Sequence, residues 1–145
     1  MISFFVPGLA ASQGSKRHVG GGRMVEMNKR LQPWRNDVGR EASIAMRGRE
    51  LVYGPVAVRL VFHFPRPKGH FGTGKNADTI KTSAPRRHIT TPDLDKLQRA
   101  INDALTGIVW KDDSQVWRVE AVKVYSSSPG VWVDIWDDDP IEDSP

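Results

Sequence analysis

Residues 56–64 (VAVRLVFHF) carry an apolar side chain at every second position, while Arg59 and His63 fall on the opposite side. Side chains of a β-strand point alternately to its two faces, so this pattern predicts a strand with one buried face. A shorter apolar run at residues 2–6, followed by a Pro-Gly pair, predicts a second strand. The sequence therefore predicts a sheet with a strand close to its N-terminus.

Two stretches carry apolar residues at the three- and four-residue spacing of a helix. The clearer one is residues 94–106, with Gly107 as its C-cap. Residues 29–51 predict a longer first helix, in which Pro33 has to lie in the first turn because its ring is tolerated there. Residues 24–27 predict a short strand just before that helix.

The last third of the chain predicts two more strands, at residues 115–125 and 131–136, joined by a Ser-Ser-Ser-Pro-Gly turn as a hairpin. The predicted fold class is α+β (mixed α/β): a small mixed sheet with two main helices, in one domain over residues 1–136. Residues 65–92 are predicted to form a long basic loop, and residues 137–145 a disordered acidic tail.

The net charge of +4 conceals an uneven distribution. Residues 134–145 hold six acids and no base, so the rest of the chain carries 21 Lys and Arg against 11 Asp and Glu. A basic body suggests a polyanionic partner such as nucleic acid. A solvated basic surface explains the charge equally well.

Several classes of protein are excluded by composition. The chain has no cysteine, which excludes disulfides and thiolate zinc sites, and its four histidines lack the close spacing of a zinc site. No stretch approaches the ~18 apolar residues of a membrane span, and the first residues lack the features of a signal peptide. We therefore expect a cytoplasmic protein without a membrane partner.

Residues 69–75 (GHFGTGK) have the spacing of a phosphate-binding loop. However, Asn76 stands where a Ser or Thr would hold Mg²⁺, and Pro85 arrives before a helix could become established. No nucleotide cofactor is expected.

Acidic residues flank the second predicted helix. Asp93 and Asp95 stand at its start, and Asp112 and Asp113 follow its end. Six extended residues span ~20 Å, about the length of the helix, so residues 108–113 can fold back and bring Asp113 to the first two acids. Clustered carboxylates would hold Mg²⁺, with Mn²⁺ as a substitute, for phosphodiester hydrolysis. Each acid also has an ordinary explanation, as a helix cap, a first-turn acid or an exposed turn, and the spacing alone favours that explanation.

The full string at residues 92–116, PDLDKLQRAINDALTGIVWKDDSQV, closely resembles the signature of the RusA family of Holliday junction resolvases. That signature has an Asp-Leu-Asp start, a short helix, and then Trp-x-Asp-Asp-x-Gln-Val. The resemblance implies a small homodimeric, magnesium-dependent endonuclease of phage or prophage type that cuts four-way DNA junctions symmetrically. It also implies that Asp93, Asp95 and Asp113 are the catalytic, metal-holding carboxylates.

Arg99 falls where the family often has a catalytic lysine, and Lys96 replaces a frequent asparagine. Because a guanidinium stays protonated, the residue type suits phosphate contact and transition-state stabilisation rather than proton transfer. Arg99 can also pair with Asp95, four residues earlier on the helix.

Two basic loops, at residues 11–23 and 65–92, are the predicted DNA contacts, and Phe71 is a candidate for insertion at an opened junction. Solvated flexible loops are the alternative. The predicted DNA-binding residues are Lys16, Arg17, Arg23, Lys75, Lys81, Arg86, Arg87 and Lys96. Two other functions remain open: a non-catalytic DNA-binding protein, and a metal nuclease acting on flaps, forks or RNA.

Overall fold

Residues 56–64 form a strand whose alternating apolar positions, from Val56 to Phe64, are all buried. A computed structural model describes residues 1–14 and 21–137, and for residues 21–28 it describes the backbone alone. The elements in chain order are β1 (Ile2–Pro7), α1 (Gly21–Ala45), β2 (Val56–Phe64), α2 (Leu94–Leu105), β3 (Val116–Tyr125) and β4 (Gly130–Trp136). Short 3-10 turns occupy Lys68–His70, Gly74–Asn76 and Asp113–Gln115. The predicted α+β class, with a small mixed sheet and two main helices, is confirmed.

The four strands lie in the order β1-β4-β2-β3. Strands β2 and β3 are parallel, and α2 forms the crossover between them, whereas β4 runs antiparallel to both of its neighbours. The predicted β3–β4 hairpin is wrong, because β2 lies between these two strands. The connection between β3 and β4, residues 126–129, crosses the end of β2 instead. At its start Ser126 N donates to Phe64 O at 2.8 Å, and at its end Pro129 O accepts from Gly8 N at 3.0 Å.

Helix α1 begins at Gly21, well before its predicted start. The predicted strand at residues 24–27 is therefore wrong, and Pro33 lies inside the helix rather than in its first turn. Proline removes one backbone hydrogen bond from the ladder. The helix is nevertheless fixed around this position by Trp34 and Val38, which are buried in the core.

Both helices contribute to one core, which includes the β2 side chains Val58, Leu60 and Phe62. From α2 that core includes Leu97 and Ile101. The opposite face of the sheet is more open, and Trp132 is 47% exposed. This arrangement places the start of α2 at the carboxyl ends of the parallel strands, where binding sites of α/β folds commonly lie.

Candidate active site

Asp93 stands at the N-cap position of α2, yet its carboxylate does not cap the helix. The backbone there is extended, and its carbonyl accepts the Leu97 amide at 3.1 Å. The side chain makes no capping hydrogen bond, and Oδ2 lies 3.3 Å from the Lys96 ammonium. With 55% of the Asp93 side chain exposed, this carboxylate is accessible to a ligand.

Asp95 lies in the first turn of α2 and is exposed. Arg99, one turn later, is exposed as well. Within the part of the chain that the structure describes, neither side chain has a hydrogen-bond or ion-pair partner. The pairing of Arg99 with Asp95 is therefore not formed, and both charges point away from the core.

Asp113 lies at the other end of α2. Thr106, the C-cap of that helix, donates its hydroxyl proton to the Asp113 carboxylate. The twelve residues of α2 separate its ends by about 18 Å. The predicted fold-back of residues 108–113 is therefore wrong: within one chain Asp113 does not approach Asp93 and Asp95.

The turn after α2 holds Asp113 at this end for a physical reason. Trp110 is fully buried, and its indole N–H donates to Thr106 Oγ1 at 3.1 Å. Gly107 N donates to Trp110 O at 2.7 Å, and the φ of Gly107 is +86°, a conformation that favours glycine. Burial of the tryptophan thus closes the chain into a tight turn.

No group of three or more His, Asp or Glu side chains in the described part of a single chain is placed to hold a metal ion. Asp93 and Asp95 remain as a pair of neighbouring acids at the start of α2. Any third carboxylate for that pair has to come from elsewhere.

The predicted DNA-binding residues divide into three groups. Four of the predicted residues, Lys75, Lys81, Arg86 and Arg87, are exposed on the loop at 65–92. Lys96 is half-buried beside Asp93. Lys16 and Arg17 lie outside the described residues, as does most of the predicted acidic tail, residues 138–145. Arg23 belongs to α1, but its side chain is not described.

The loop at 65–92 is fixed to the sheet at its base. The Arg66 guanidinium lies 4.2 Å from the centre of the Tyr125 ring and donates to Pro85 O at 2.7 Å. The His70 ring lies at 83° to the same ring, with 5.4 Å between the ring centres. Arg66 therefore has a structural contact, and the loop presents its other cations from a folded base.

Comparison with known proteins assigns the chain to a family. The family model described as "Endodeoxyribonuclease RusA" matches residues 6–136, nearly the whole chain. The chain belongs to the RusA family. A stretch of 87 residues is also 33% identical to the Bacillus subtilis (strain 168) protein described as "Uncharacterized protein YqaN", covering 60% of this chain and 61% of that protein. The RusA assignment confirms the resemblance seen in residues 92–116.

Gln115, the glutamine of the RusA signature, fixes the position of Asp113. Its Oε1 accepts the backbone amides of Lys111 and Asp112 at 2.9 and 2.8 Å. Its Nε2 donates to the carbonyls of Val52 and Gly54 at 2.8 and 2.9 Å. The sequence carried a signal for this role, since Asp112 and Gln115 have the spacing of a capping box.

Lys123 was not among the predicted site residues. It lies on the face of β3 that turns toward α2, since its β2 partner is the buried Phe62. Its ammonium donates to Thr90 O at 2.7 Å and to Pro92 O at 3.0 Å, which fixes the segment directly before Asp93. A lysine at a core-facing position of a strand is the signal that indicates such a role.

His88 is buried in the same segment, stacked on Phe64 at 4.6 Å and tilted against Tyr125 at 5.1 Å. Burial lowers the pKa of His88 below its usual value of 6.5, and the nearby Lys123 ammonium lowers it further. The folded chain therefore binds this proton less readily than the unfolded chain. Stability associated with neutral His88 is complete above pH 6.5 and is lost as the pH falls below it.

We expect the free energy of unfolding to fall as the pH is lowered from about 7.5 to about 5, and to fall less in a His88→Phe variant. Phenylalanine keeps the stacking surface and removes the titrating group. Urea denaturation at a series of pH values measures both slopes. Equal slopes in the two proteins would show that His88 does not control this pH dependence.

Within the described residues, no helix combines the length and the apolar composition needed to cross a membrane.

Proposed function

We propose that this chain is a magnesium-dependent endonuclease that resolves four-way DNA junctions symmetrically. The observation that carries the proposal is the start of α2, where Asp93 and Asp95 are exposed and neither caps the helix. Membership of the RusA family supports DNA as the substrate. The exposed cations Arg86 and Arg87, shortly before these acids, suit a phosphate backbone.

The residues present fit a magnesium ion. Mg²⁺ typically takes one or two protein carboxylates and fills its other positions with water and substrate oxygens. Asp93 and Asp95 are two residues apart and accessible, and the half-buried Lys96 and the helix N-terminus balance their charge. When bound, Mg²⁺, or Mn²⁺ in its place, activates water and neutralises charge on the phosphate.

Cations of α2 would contact the substrate directly. Arg99 lies one turn beyond Asp95 and has no partner within the described chain, so its planar guanidinium is available to hold two phosphate oxygens. Lys96 is held by Asp93 across 3.3 Å, a weak exposed contact that an incoming phosphate can replace. Neither residue is assigned a proton transfer.

The third carboxylate, Asp113, would come from a second copy of the chain. Strand β3 is an edge strand, and its outer side has no partner in the described chain. Because β3 runs antiparallel to α2, a two-fold axis beside the middle of β3, perpendicular to the strand, would pair two β3 edges and place the start of one β3 beside the end of the other. Asp113 of one protomer would then approach Asp93 and Asp95 of its partner.

Other features support this edge as the dimer contact. Trp117 and Val122 of β3 are 47% and 49% exposed, which is unusual for large apolar side chains on a strand. The other edge, β1, is separated from β3 by two strands and would leave Asp113 alone. A homodimer with two such sites matches a junction with two equivalent strands, and the enzyme would act on DNA in the cytoplasm of a bacterial host.

The test uses purified protein with a four-way junction, a fork and linear duplex, each with Mg²⁺ or with EDTA. We expect Mg²⁺-dependent nicking of two symmetric strands of the junction. Asp95→Asn should reduce nicking by at least ~100-fold and leave junction binding intact. Removing a metal ligand lowers activity more than removing a contact that supports a ligand. Asp37→Asn, an exposed acid of α1 paired with Arg40, is the matched control and should cut normally.

Each contrary outcome identifies a different function. Binding without cutting by the wild-type chain would indicate a non-catalytic DNA-binding protein. Equal cutting of forks or duplex would indicate a nuclease of broader structure specificity.

A further inference from the structure

Ile89 is the most exposed of the large apolar side chains in the described part of the chain, at 80%. Single exposed apolar residues are common on protein surfaces and need no explanation. The position of Ile89 is unusual because both of its neighbours are held tightly. An exposed apolar side chain that its fixed neighbours keep from becoming buried is suited to contact another molecule.

The residues on each side of Ile89 fix its backbone. His88 is only 9% exposed and stacks between Phe64 and Tyr125. On the other side, Thr90 O accepts a hydrogen bond of 2.7 Å from Lys123. With His88 packed against the sheet and Ile89 80% exposed, these two adjacent side chains point to opposite sides of the segment. The branched Cβ of Ile89 further limits the directions available to the side chain.

Cations and the proposed active site flank this side chain. Arg86 and Arg87 are exposed and have no ion-pair partner within the described residues. Asp93 follows four residues later, so Ile89 and Asp93 lie at most ~14 Å apart. With exposed cations before it in the chain and the proposed cleavage site after it, Ile89 lies where bound DNA would pass.

We propose that Ile89 is a wedge that enters the base stack at the branch point of the DNA, next to the phosphate that is cut. The inference rests on the proposed function, since it needs branched DNA as the partner. Apolar side chains inserted between base steps unstack them and bend the helix, and cations alongside hold the phosphates. A branch point favours this insertion, because base pairs whose stacking is already interrupted cost less to separate.

The neighbouring Phe71 is a weaker candidate for the same role. It is half-buried, and it forms an isolated antiparallel bridge with Ile80 inside the loop. The half-buried Phe71 side chain would have to leave its packing before it could be inserted, whereas the Ile89 side chain is already exposed. The wedge is therefore assigned to Ile89.

The experiment measures unstacking and cutting separately. A four-way junction carries 2-aminopurine at the branch point, where fluorescence rises when the base loses its stacking. Binding is followed in the Asp95→Asn background, so that no cutting occurs, with and without Ile89→Ala. We expect Ile89→Ala to abolish most of the fluorescence rise. In the otherwise wild-type enzyme it should lower the single-turnover cutting rate about tenfold.

Two variants serve as controls. Ile89→Leu keeps the apolar bulk and should retain the fluorescence rise, whereas Ile80→Ala removes another isoleucine of the loop, 50% exposed, and should behave as wild type. An Ile89→Ala enzyme that opens and cuts junctions at the wild-type rate would overturn the wedge alone. A changed oligomeric mass of Ile89→Ala would overturn it in favour of a protein contact, and wild-type protein that neither binds nor cuts junctions would overturn the proposed function itself.

Discussion

A mixture of two inactive variants, Asp95→Asn and Asp113→Asn, is expected to nick four-way junctions when their protomers are allowed to exchange. If each site combines the start of α2 from one protomer with Asp113 from the other, a heterodimer contains one site with both substitutions and one site with neither. Random exchange makes half of the dimers heterodimers, so about a quarter of the wild-type sites return. Nicking of one strand per junction, measured after co-expression of differently tagged chains, is the signature.

The matched control is a mixture of Asp95→Asn with Asp93→Asn. Both substitutions lie at the start of α2, so every site of every dimer carries one, and no activity should return. If purified Asp95→Asn/Asp113→Asn heterodimer is as inactive as the control, the sharing of sites between protomers is wrong. The residual activity of each variant alone sets the baseline for this comparison.

Replacing Lys123 with methionine is expected to lower the cutting rate by about 10–100-fold, the usual cost of removing a contact that supports a metal site. The substitution keeps an apolar stem in the half-buried position and removes the two hydrogen bonds to Thr90 O and Pro92 O. Asp93 would then no longer be held in one direction, and small displacements of catalytic groups are costly. Single-turnover cutting over a range of Mg²⁺ concentrations measures the loss.

A role in positioning Asp93 predicts more than a loss of rate. The half-saturating Mg²⁺ concentration should rise, metal-free junction affinity should stay within about threefold, and Lys123→Arg should recover part of the rate because it restores a donor. Lys29→Met, which removes an exposed lysine of α1, should leave all three quantities unchanged. Unchanged Mg²⁺ dependence in Lys123→Met would assign the lysine to stability alone.

The sequence predicted the type and position of individual elements whose own pattern shows which face is buried. The alternation of β2 and the spacing of α2 each depend on which face is buried, and both elements lie where the pattern placed them. Which strands lie next to each other in the sheet depends on the whole chain. The apolar pattern of β3 and β4 is compatible with a hairpin, and only the crossover through α2 places β2 between them.

For the candidate site, too, the sequence predicted the residues but not how the fold arranges them. The signature string predicted Asp93, Asp95 and Asp113 as one site, but it does not show whether the chain after α2 folds back to the start of that helix. The closure predicted from chain length was possible, and the burial of Trp110 excludes it within one chain. Gln115 Nε2 and the Lys123 ammonium bind backbone carbonyls far away in sequence, and no local pattern reveals those partners, although the capping-box spacing does indicate the bond from Gln115 to Asp112.

The connection from β2 to α2 leaves the sheet where Arg66 stacks on Tyr125 and returns where Lys123 holds Pro92. Tyr125 and Lys123, which hold the two ends of this connection, lie two residues apart on β3. The connection itself contributes little to the core. Insertions or deletions in that interval would leave both anchors in place. The surface that this interval presents can therefore diverge among descendants of this fold without displacing the carboxylates at the start of α2.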